Sequence, residues 1–180
     1  MSLQSWREAL NSTIADGTAV TAAATETILV PDKTIQADYL VQGRTLKYTL
    51  FGRMSSAITT PGTFTFRLRW GGVGGVALVA SGAIAPDTAA AGTNVGWFAE
   101  FYVVCRSIGT SGTAMCWGRM ALNDIIATTA GLSNQMFVFP DAAAVATIDT
   151  TTAKALSPTV TNSLGTGSVQ CHHALLESLN

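Results

Sequence analysis

The chain has 180 residues, a length that favours one sizeable domain over two. Charged residues make up 12% of it and hydrophobic residues 48%, and the formal net charge of -1 gives no general reason to bind nucleic acid or an anionic membrane surface. Low charge together with a mean hydropathy of +0.34 is typical of a subunit that covers part of its surface with neighbours.

The first predicted element is a short helix over residues 2–13. Ser2 is a suitable N-cap, and Leu3, Trp6 and Leu10 follow the three- and four-residue spacing of one helix face. An isolated helix of this length is marginal, so it needs a surface to pack on. That surface is either its own sheet or, as we favour, a neighbouring subunit.

The sequence predicts neither a targeting segment nor a membrane span. The N-terminal stretch carries Arg7 and Glu8 and lacks an apolar core followed by a small-residue cleavage site. The longest nearly apolar run, residues 76–85, is too short to cross a bilayer. We therefore expect a soluble protein that is synthesised in a cytoplasm.

Residues 43–72 predict two amphipathic β-strands joined through the turn at Pro61 and Gly62. Apolar residues alternate with polar ones along both strands, the pattern of a sheet with one buried and one exposed face. The residues predicted to be buried are Leu46, Tyr48, Leu50 and Met54 in the first strand and Phe64, Phe66, Leu68 and Trp70 in the second.

Four cations fall on the opposite face of these two strands. We expect Lys47, Arg53, Arg67 and Arg69 to cluster on the outer side of the predicted hairpin. Such a surface is solvated or faces another subunit, with an acidic partner as an alternative. Phe51 is the one aromatic residue interleaved with the cations, which argues against a nucleic-acid site.

The longest predicted strand spans residues 95–109. Its buried face is predicted to hold Trp97, Phe101, Val103 and Cys105. Glu100 falls on the other face beside Phe98 and Tyr102, so we expect this carboxylate to meet an interface or a cross-strand partner rather than to act in catalysis.

Short strands continue at roughly regular spacing to the C-terminus, separated by turns rich in Gly, Pro and Asp. We count eight or nine strands in all, which predicts an all-β antiparallel sandwich or barrel. The predicted organisation is an N-terminal arm with a short helix over residues 1–16 and a single domain over residues 17–180.

The chain has three cysteines, an odd number, and a reducing compartment keeps them as thiols. A turn centred on Gly109 to Gly112 places Cys105 directly opposite Cys116, a pairing that a cross-strand disulfide can bridge at suitable spacing. Because of the expected compartment, we favour two small buried hydrophobic side chains over a disulfide.

The sequence singles out no catalytic or metal-binding set. Neighbours along a strand point to opposite faces, so His172 and His173 do not share one site, and Cys171 adds only a second ligand on the face of His173. There is no nucleophile motif and no distinguishable carboxylate pair, and the glycines within residues 71–75 lack the lysine of a P-loop. We predict a protein that is not an enzyme and uses no cofactor or metal.

Several segments taken together resemble a known family. They are W-R-E-A-L and A-D-G-T-A-V-T near the N-terminus, then G-R-x-L-x-Y-x-x-x-G-R-M-S, T-T-P-G-T-F-T-F-x-x-R-W-G, T-N-V-G-W-F-x-E-F-x-V-x-C-R-x-I-G and the closing G-S-V-x-C-H-x-A-L-L-E-S-L-N. In this order, from Trp6 to Asn180, they are similar to a family of tailed-bacteriophage virion proteins with a jelly-roll-like β-sandwich.

The resemblance implies a structural role in the virion, and we expect a capsid decoration, or cement, protein on the outside of the head. Such a protein bridges major capsid subunits, commonly as a homotrimer, without nucleic acid or a membrane as partner. The expected interface residues are Leu3, Trp6, Arg7, Leu10, Arg67 and Arg69. The resemblance supplies no active-site residues.

Two other functions stay open. A tail or fibre component could bind host glycans through Trp97, Tyr102 or Trp117, although the apolar context of these residues predicts that they fill the core. A wall-degrading hydrolase borne on the virion is the third reading, and the sequence names no acid, base or nucleophile for it.

Overall fold

A computed structural model of the chain describes residues 6–21, 24–86, 91–123, 135–139 and 145–179. These residues form antiparallel β-sheets, which confirms the predicted all-β class. The strands are β1 (Arg7–Ser12), β2 (Glu26–Ile28), β3 (Lys33–Ile35), β4 (Thr45–Ser56), β5 (Phe64–Trp70), β6 (Val76–Ala80), β7 (Gly92–Ser107), β8 (Gly112–Leu122), β9 (Gln135–Phe139), β10 (Val145–Ile148), β11 (Lys154–Asn162) and β12 (Ser168–Leu179). Within the described ranges, no helix is long and apolar enough to cross a membrane.

The strands form two sheets. One has seven strands in the order β1-β12-β4-β7-β8-β10, with β9 also paired to β8. The other has five strands in the order β2-β11-β5-β6, with β3 also paired to β11. Because β9 and β10 lie one after the other along β8, and β2 and β3 along β11, each of these couples occupies a single position in its sheet.

The hydrophobic core lies between the two sheets. The alternation predicted for β4, β5 and β7 is confirmed, since their apolar positions are buried and most of the intervening positions are partly or fully exposed. Phe66 of β5 and Trp97 of β7 meet across the core with ring centroids 5.2 Å apart. The largest fully buried side chains are Tyr48, Phe64, Phe66, Phe101, Leu29, Leu46, Leu50, Met54, Leu68, Met120, Leu122 and Ile148.

The predicted hairpin of β4 and β5 is wrong. β4 pairs with β7 and β12 in the seven-stranded sheet, whereas β5 pairs with β6 and β11 in the other. Residues 57–63 therefore carry the chain from one sheet to the other. Alternation reports which face of a strand is buried and says nothing about its partner, so two adjacent amphipathic strands are compatible with either arrangement.

The predicted cluster of four cations is wrong for the same reason. Lys47 and Arg53 lie on β4, on the outer side of the seven-stranded sheet, and Arg67 and Arg69 lie on β5, on the outer side of the five-stranded sheet. The core separates the two pairs.

The predicted N-terminal helix is also wrong over the described residues. Arg7–Ser12 form strand β1, which pairs antiparallel with the C-terminal strand β12 from Arg7 opposite Leu179 to Ser12 opposite Leu175. This segment pairs with its own sheet, because the edge of β12 that β4 leaves uncovered offers backbone hydrogen-bond partners to alternate residues of a strand that extends along it. Leu3 lies outside the described residues.

The described residues form twelve strands, more than the eight or nine predicted, and several of the strands are hard to recognise in the sequence. β1 follows an apolar spacing that also suits a helix, and β2 and β3 have three residues each. Short elements of three residues have too few alternating positions to stand out from a loop.

The cysteine register differs from the prediction. Cys116 lies opposite Val103, and Cys105 lies opposite Ala114, beside a bulge between Cys105 and Ser107. The turn and this bulge shift the two strands by two positions relative to the predicted pairing. All three cysteines are free thiols in the core.

Candidate interaction surface

The outer face of the seven-stranded sheet carries the most distinctive side chains of the described chain. Residues directly opposite one another on neighbouring strands point to the same side, so the register sorts them into rows. From β12 through β4, β7 and β8 to β9 or β10, the rows are Leu179–Thr45–Val104–Met115–Val145, Glu177–Lys47–Tyr102–Trp117, Leu175–Thr49–Glu100–Arg119–Val138 and His173–Phe51–Phe98–Ala121–Met136.

The row through Phe51 is apolar and largely open. The Phe51 and Phe98 rings lie 4.9 Å apart between centroids, and the Phe51 and His173 rings 6.4 Å apart. Phe51 is 45% exposed and Met136 65% exposed. A shallow groove runs beside the two phenylalanines, where Gly96 contributes no side chain.

One more apolar side chain extends this open surface along β9. Val138 of β9 is 67% exposed and lies two residues from Met136 on the same face. Together with Phe51, Phe98 and Met136 it forms an apolar patch, the name used below for these four residues. Contiguous exposed apolar side chains of this kind mark interaction sites on soluble proteins.

A buried carboxylate lies beside the apolar patch. Glu100 is 4% exposed and lies between two cations, with Lys47 Nζ 2.5 Å from Oε1 and Arg119 Nε 2.5 Å from Oε2. Burial alone raises the pKa of Glu100, but the hydrogen bonds from Lys47 and Arg119 outweigh it and hold this pKa below its ordinary value. The predicted cross-strand partner of Glu100 is confirmed.

Two aromatic rings stack next to this ion-pair cluster. Tyr102 and Trp117 lie 4.0 Å apart between centroids and are nearly parallel, at 5°, and Lys47 Nζ lies 5.7 Å from the Tyr102 centroid. Both rings are half-buried on the outer face. The prediction that they fill the core is therefore wrong, whereas it is confirmed for Trp97, which is 3% exposed.

The outer face is electropositive. Among the described residues, its charged side chains are Arg7, Lys47, Arg53, Arg106 and Arg119 against Glu100 and Glu177. Five cations against two carboxylates give a formal charge of +3. The other described residues carry five cations and six carboxylates, a formal charge of -1, so among the described residues the positive charge is specific to this face.

Two of the predicted interface residues lie on the opposite side of the molecule. Arg69 donates to Glu26 with Nη2 2.6 Å from Oε2, and Arg67 Nη1 lies 3.6 Å from the same carboxylate oxygen. Thr159 also donates to Glu26 Oε1, at 2.5 Å. Burial raises the pKa of Glu26, but the hydrogen bonds from Arg69 and Thr159 outweigh it and lower this pKa overall.

The other predicted interface residues that are described lie at the β1 edge. Arg7 Nε is 3.6 Å from Glu177 Oε1, Leu10 is half-buried against the core, and Trp6 is 47% exposed. The structure therefore brings Arg7 to the border of the outer face and separates it from Arg67 and Arg69. An interface role for these residues stays a prediction.

The sequence contained a signal for the apolar patch. Phe51, Phe98 and Tyr102 all fall at outward positions of strands whose inward positions are already apolar. Strands with apolar residues on both faces have two surfaces to cover, of which the core covers one.

The histidines each contact the segment that follows β1. His172 Nδ1 lies 2.9 Å from Asp16 Oδ1, and His173 Nδ1 lies 3.2 Å from the carbonyl oxygen of Thr13. Among the residues that the structure describes, no group of three or more His, Cys, Asp or Glu side chains is placed to hold a metal ion.

Comparisons with known proteins add no relative. No protein-family model matches the chain, and no curated protein matches it.

Proposed function

We propose that the chain is a non-enzymatic structural protein of a tailed-bacteriophage virion, a decoration protein with a jelly-roll-like sandwich. In this role it is made in the host cytoplasm, binds the outer surface of the head as a homotrimer and bridges major capsid subunits. The motifs from Trp6 to Asn180 support the family, and the open apolar patch supports the role.

The apolar patch is the observation that carries the proposal. Phe51, Met136 and Val138 are each at least 45% exposed on a sheet that already buries its other face in the core. Water contact with this many apolar groups costs free energy that association with a neighbour recovers. A subunit built to bind a lattice needs such a face, whereas a free-standing domain does not.

The copy number per particle tests this function. Quantitative mass spectrometry of purified virions, with the major capsid protein as reference, is expected to give a ratio that approaches one to one. A few to a few dozen copies per particle would remove the protein from the head lattice and contradict the proposal.

A tail or fibre component that binds glycans is the second candidate, and one observation favours it. Tyr102 and Trp117 lie on the outer face rather than in the core, beside the hydrogen-bonding groups of Glu100 and Arg119. Aromatic rings next to polar groups are suited to sugar recognition. Binding on a glycan array that is lost in Trp117→Ala would favour this candidate over the decoration protein.

A further inference from the structure

We propose that the outer face of the seven-stranded sheet is a docking surface for a protein partner that is apolar where it meets the apolar patch and acidic beside it. The proposal rests on the proposed function, in which that partner is the exposed surface of the major capsid subunits. It assigns the contact to this face instead of to the face that carries Arg67 and Arg69.

The composition of the outer face is that of a protein interface. Interface centres are enriched in aromatic residues, Met and Arg, and depleted in Lys, Glu and Asp relative to the rest of a protein surface. The outer face holds Phe51, Phe98, Tyr102, Trp117, Met115, Met136, Arg7, Arg53, Arg106 and Arg119, against one lysine and two glutamates. Trp, Tyr and Arg are also the residues that most often dominate binding energy.

The charge of the face selects an acidic partner. Glu100 is occupied by Lys47 and Arg119, and Glu177 is close to Arg7, so neither carboxylate is left to meet a cation of the partner. Arg53 and Arg106 are exposed at opposite ends of the face. Facing charges of opposite sign direct the approach and the register of two proteins.

The same charge argues against a second copy of the chain on this face. Two outer faces in contact would bring a formal +3 against +3, and like charges across an interface are unfavourable. A homotrimer would therefore use other surfaces.

The outer side of the five-stranded sheet fits this role less well. Its strands present Thr65 and Thr161 there, Ser157 and Thr159 point to the same side but are fully buried, and its two arginines share the carboxylate of Glu26. Small hydroxyl side chains and internally paired charges contribute little to a protein interface.

Two pairs of double variants test the assignment. Arg53→Glu with Arg106→Glu reverses two cations of the outer face, and Lys33→Glu with Lys154→Glu makes the same change in net charge on the five-stranded sheet. Met136→Ser with Val138→Ser removes part of the apolar patch, and Ile58→Ser with Val76→Ser replaces two exposed apolar side chains elsewhere. Each purified variant is added to heads that lack this chain, and co-sedimentation at several salt concentrations gives its affinity.

We expect both outer-face variants to bind at least about fivefold more weakly than the wild type, while their controls bind unchanged. The charge-reversed variant is also expected to lose most of the salt dependence of binding. Thermal unfolding of all four variants is the control that they are folded. Equal binding by outer-face variants and controls would overturn the assignment to this face.

Two further outcomes would distinguish failure of the proposed function from a contact between copies of the chain. A wild-type chain that does not bind the heads at all would overturn the proposed function, and the docking assignment with it. A change of oligomeric state in the outer-face variants, measured by analytical ultracentrifugation without heads, would make this face a contact between copies of the chain and contradict the acidic partner.

Discussion

Glu100 shows how a carboxylate is kept charged at an almost fully covered position of a sheet. Lys47 and Arg119 approach it from the two neighbouring strands, and their hydrogen bonds outweigh the effect of burial on its pKa. Because the pKa of Glu100 is lower in the folded chain than its ordinary value of 4.5, protons bind the unfolded chain more readily. This stabilisation is therefore present above about pH 4.5 and is lost as the pH falls through the lower pKa of the folded state.

Substitution of Glu100 by glutamine is expected to lower the free energy of unfolding at pH 7 by about 2–3 kcal/mol, because two charge-assisted hydrogen bonds are lost. The variant should also lose less stability than the wild type between pH 5 and pH 3, since it lacks one of the groups that take up protons; both pH limits are approximate. Urea unfolding at several pH values measures both effects. Asp32→Asn, at an exposed carboxylate, is the matched control, and equal stability of Glu100→Gln and this control at pH 7 would contradict the expectation.

Gly52 and Gly96 give a matched pair on neighbouring strands. A Cβ atom at Gly52 would lie 2.1 Å from the carbonyl oxygen of Gln170 and 2.5 Å from Cζ2 of Trp97, whereas a Cβ atom at Gly96 has no neighbour within 4 Å. We expect Gly52→Ala to lower the free energy of unfolding by about 1–3 kcal/mol or more. Gly96→Ala should stay within about 0.5 kcal/mol of the wild type.

Thermal and chemical unfolding of the two glycine variants side by side checks this difference. The substituted residue is the same in both, so the change in unfolded-chain entropy is similar and cancels in the comparison. Indistinguishable stabilities would mean that the strands β4 and β12 move apart at Gly52 without cost.

At the scale of elements, the sequence predicts the buried face of a strand better than it predicts which strands pair with one another. The inward positions of β4, β5 and β7 follow from alternation, because a one-residue slip would turn every apolar side chain to water. The pairing of β4 with β12 depends on contacts between Tyr48 and Leu176 and their neighbours, far apart in the chain, which no local pattern encodes.

The candidate surface was predictable only in part. The outward position of Glu100 follows from the alternation of the strand, and Arg119 lies on β8, the predicted partner of β7, although in a register shifted by two positions. Lys47 lies on β4, which the sequence does not assign as a neighbour of β7. The apolar patch needed β9 to be placed beside β8, where Met136 and Val138 continue the rows of Phe98 and Glu100. The alternation along each strand therefore predicted which side of the sheet a residue faces. Which residues lie side by side on that surface depends on the order of the strands, which the alternation does not predict.

The N-terminal segment illustrates a tertiary contact that overrides local spacing. Its register on β12 continues beyond β1, where the amides of Thr13, Gly17 and Val20 donate to the carbonyl oxygens of Ala174, Cys171 and Val169. The helix predicted over residues 2–13 would instead direct the amide of Thr13 to a carbonyl group of its own segment.

Amide hydrogen exchange measured by NMR distinguishes the two arrangements. We expect the amides of Thr13, Gly17 and Val20 to exchange at least about tenfold more slowly than that of Ala15, since the former are hydrogen-bonded to β12. Protection of every consecutive amide from residue 8 to residue 13 would indicate a helix and contradict the strand.

At the scale of the whole molecule, the three cysteines report on the integrity of the core. Cys105, Cys116 and Cys171 are at most 1% exposed, and burial raises the pKa of Cys116 to about 12 and that of Cys171 to about 11. A thiol reacts as its thiolate, so both the access of a reagent and the fraction of reactive thiolate are low in the folded state.

Alkylation at pH 8 is therefore expected to modify all three thiols in denaturant and almost none in the native protein. In intermediate denaturant, the labelled fraction should follow the unfolding transition seen by fluorescence, because the thiols lie in one core that opens as a unit. Rapid labelling of a single cysteine under native conditions would reveal local opening and contradict this expectation.

The positions of β11 and β12 in the interior of their sheets affect the order in which strands can pair during synthesis. Among the described strands, β1 pairs only with β12, and β2 and β3 pair only with β11. A ribosome therefore releases β1, β2 and β3 long before their partners exist, and β4 and β5 emerge with one edge uncovered, a state prone to wrong pairing. Neither sheet can be completed until residues 154–179 have left the exit tunnel, so the first 150 residues wait for these two strands before they can reach the native structure.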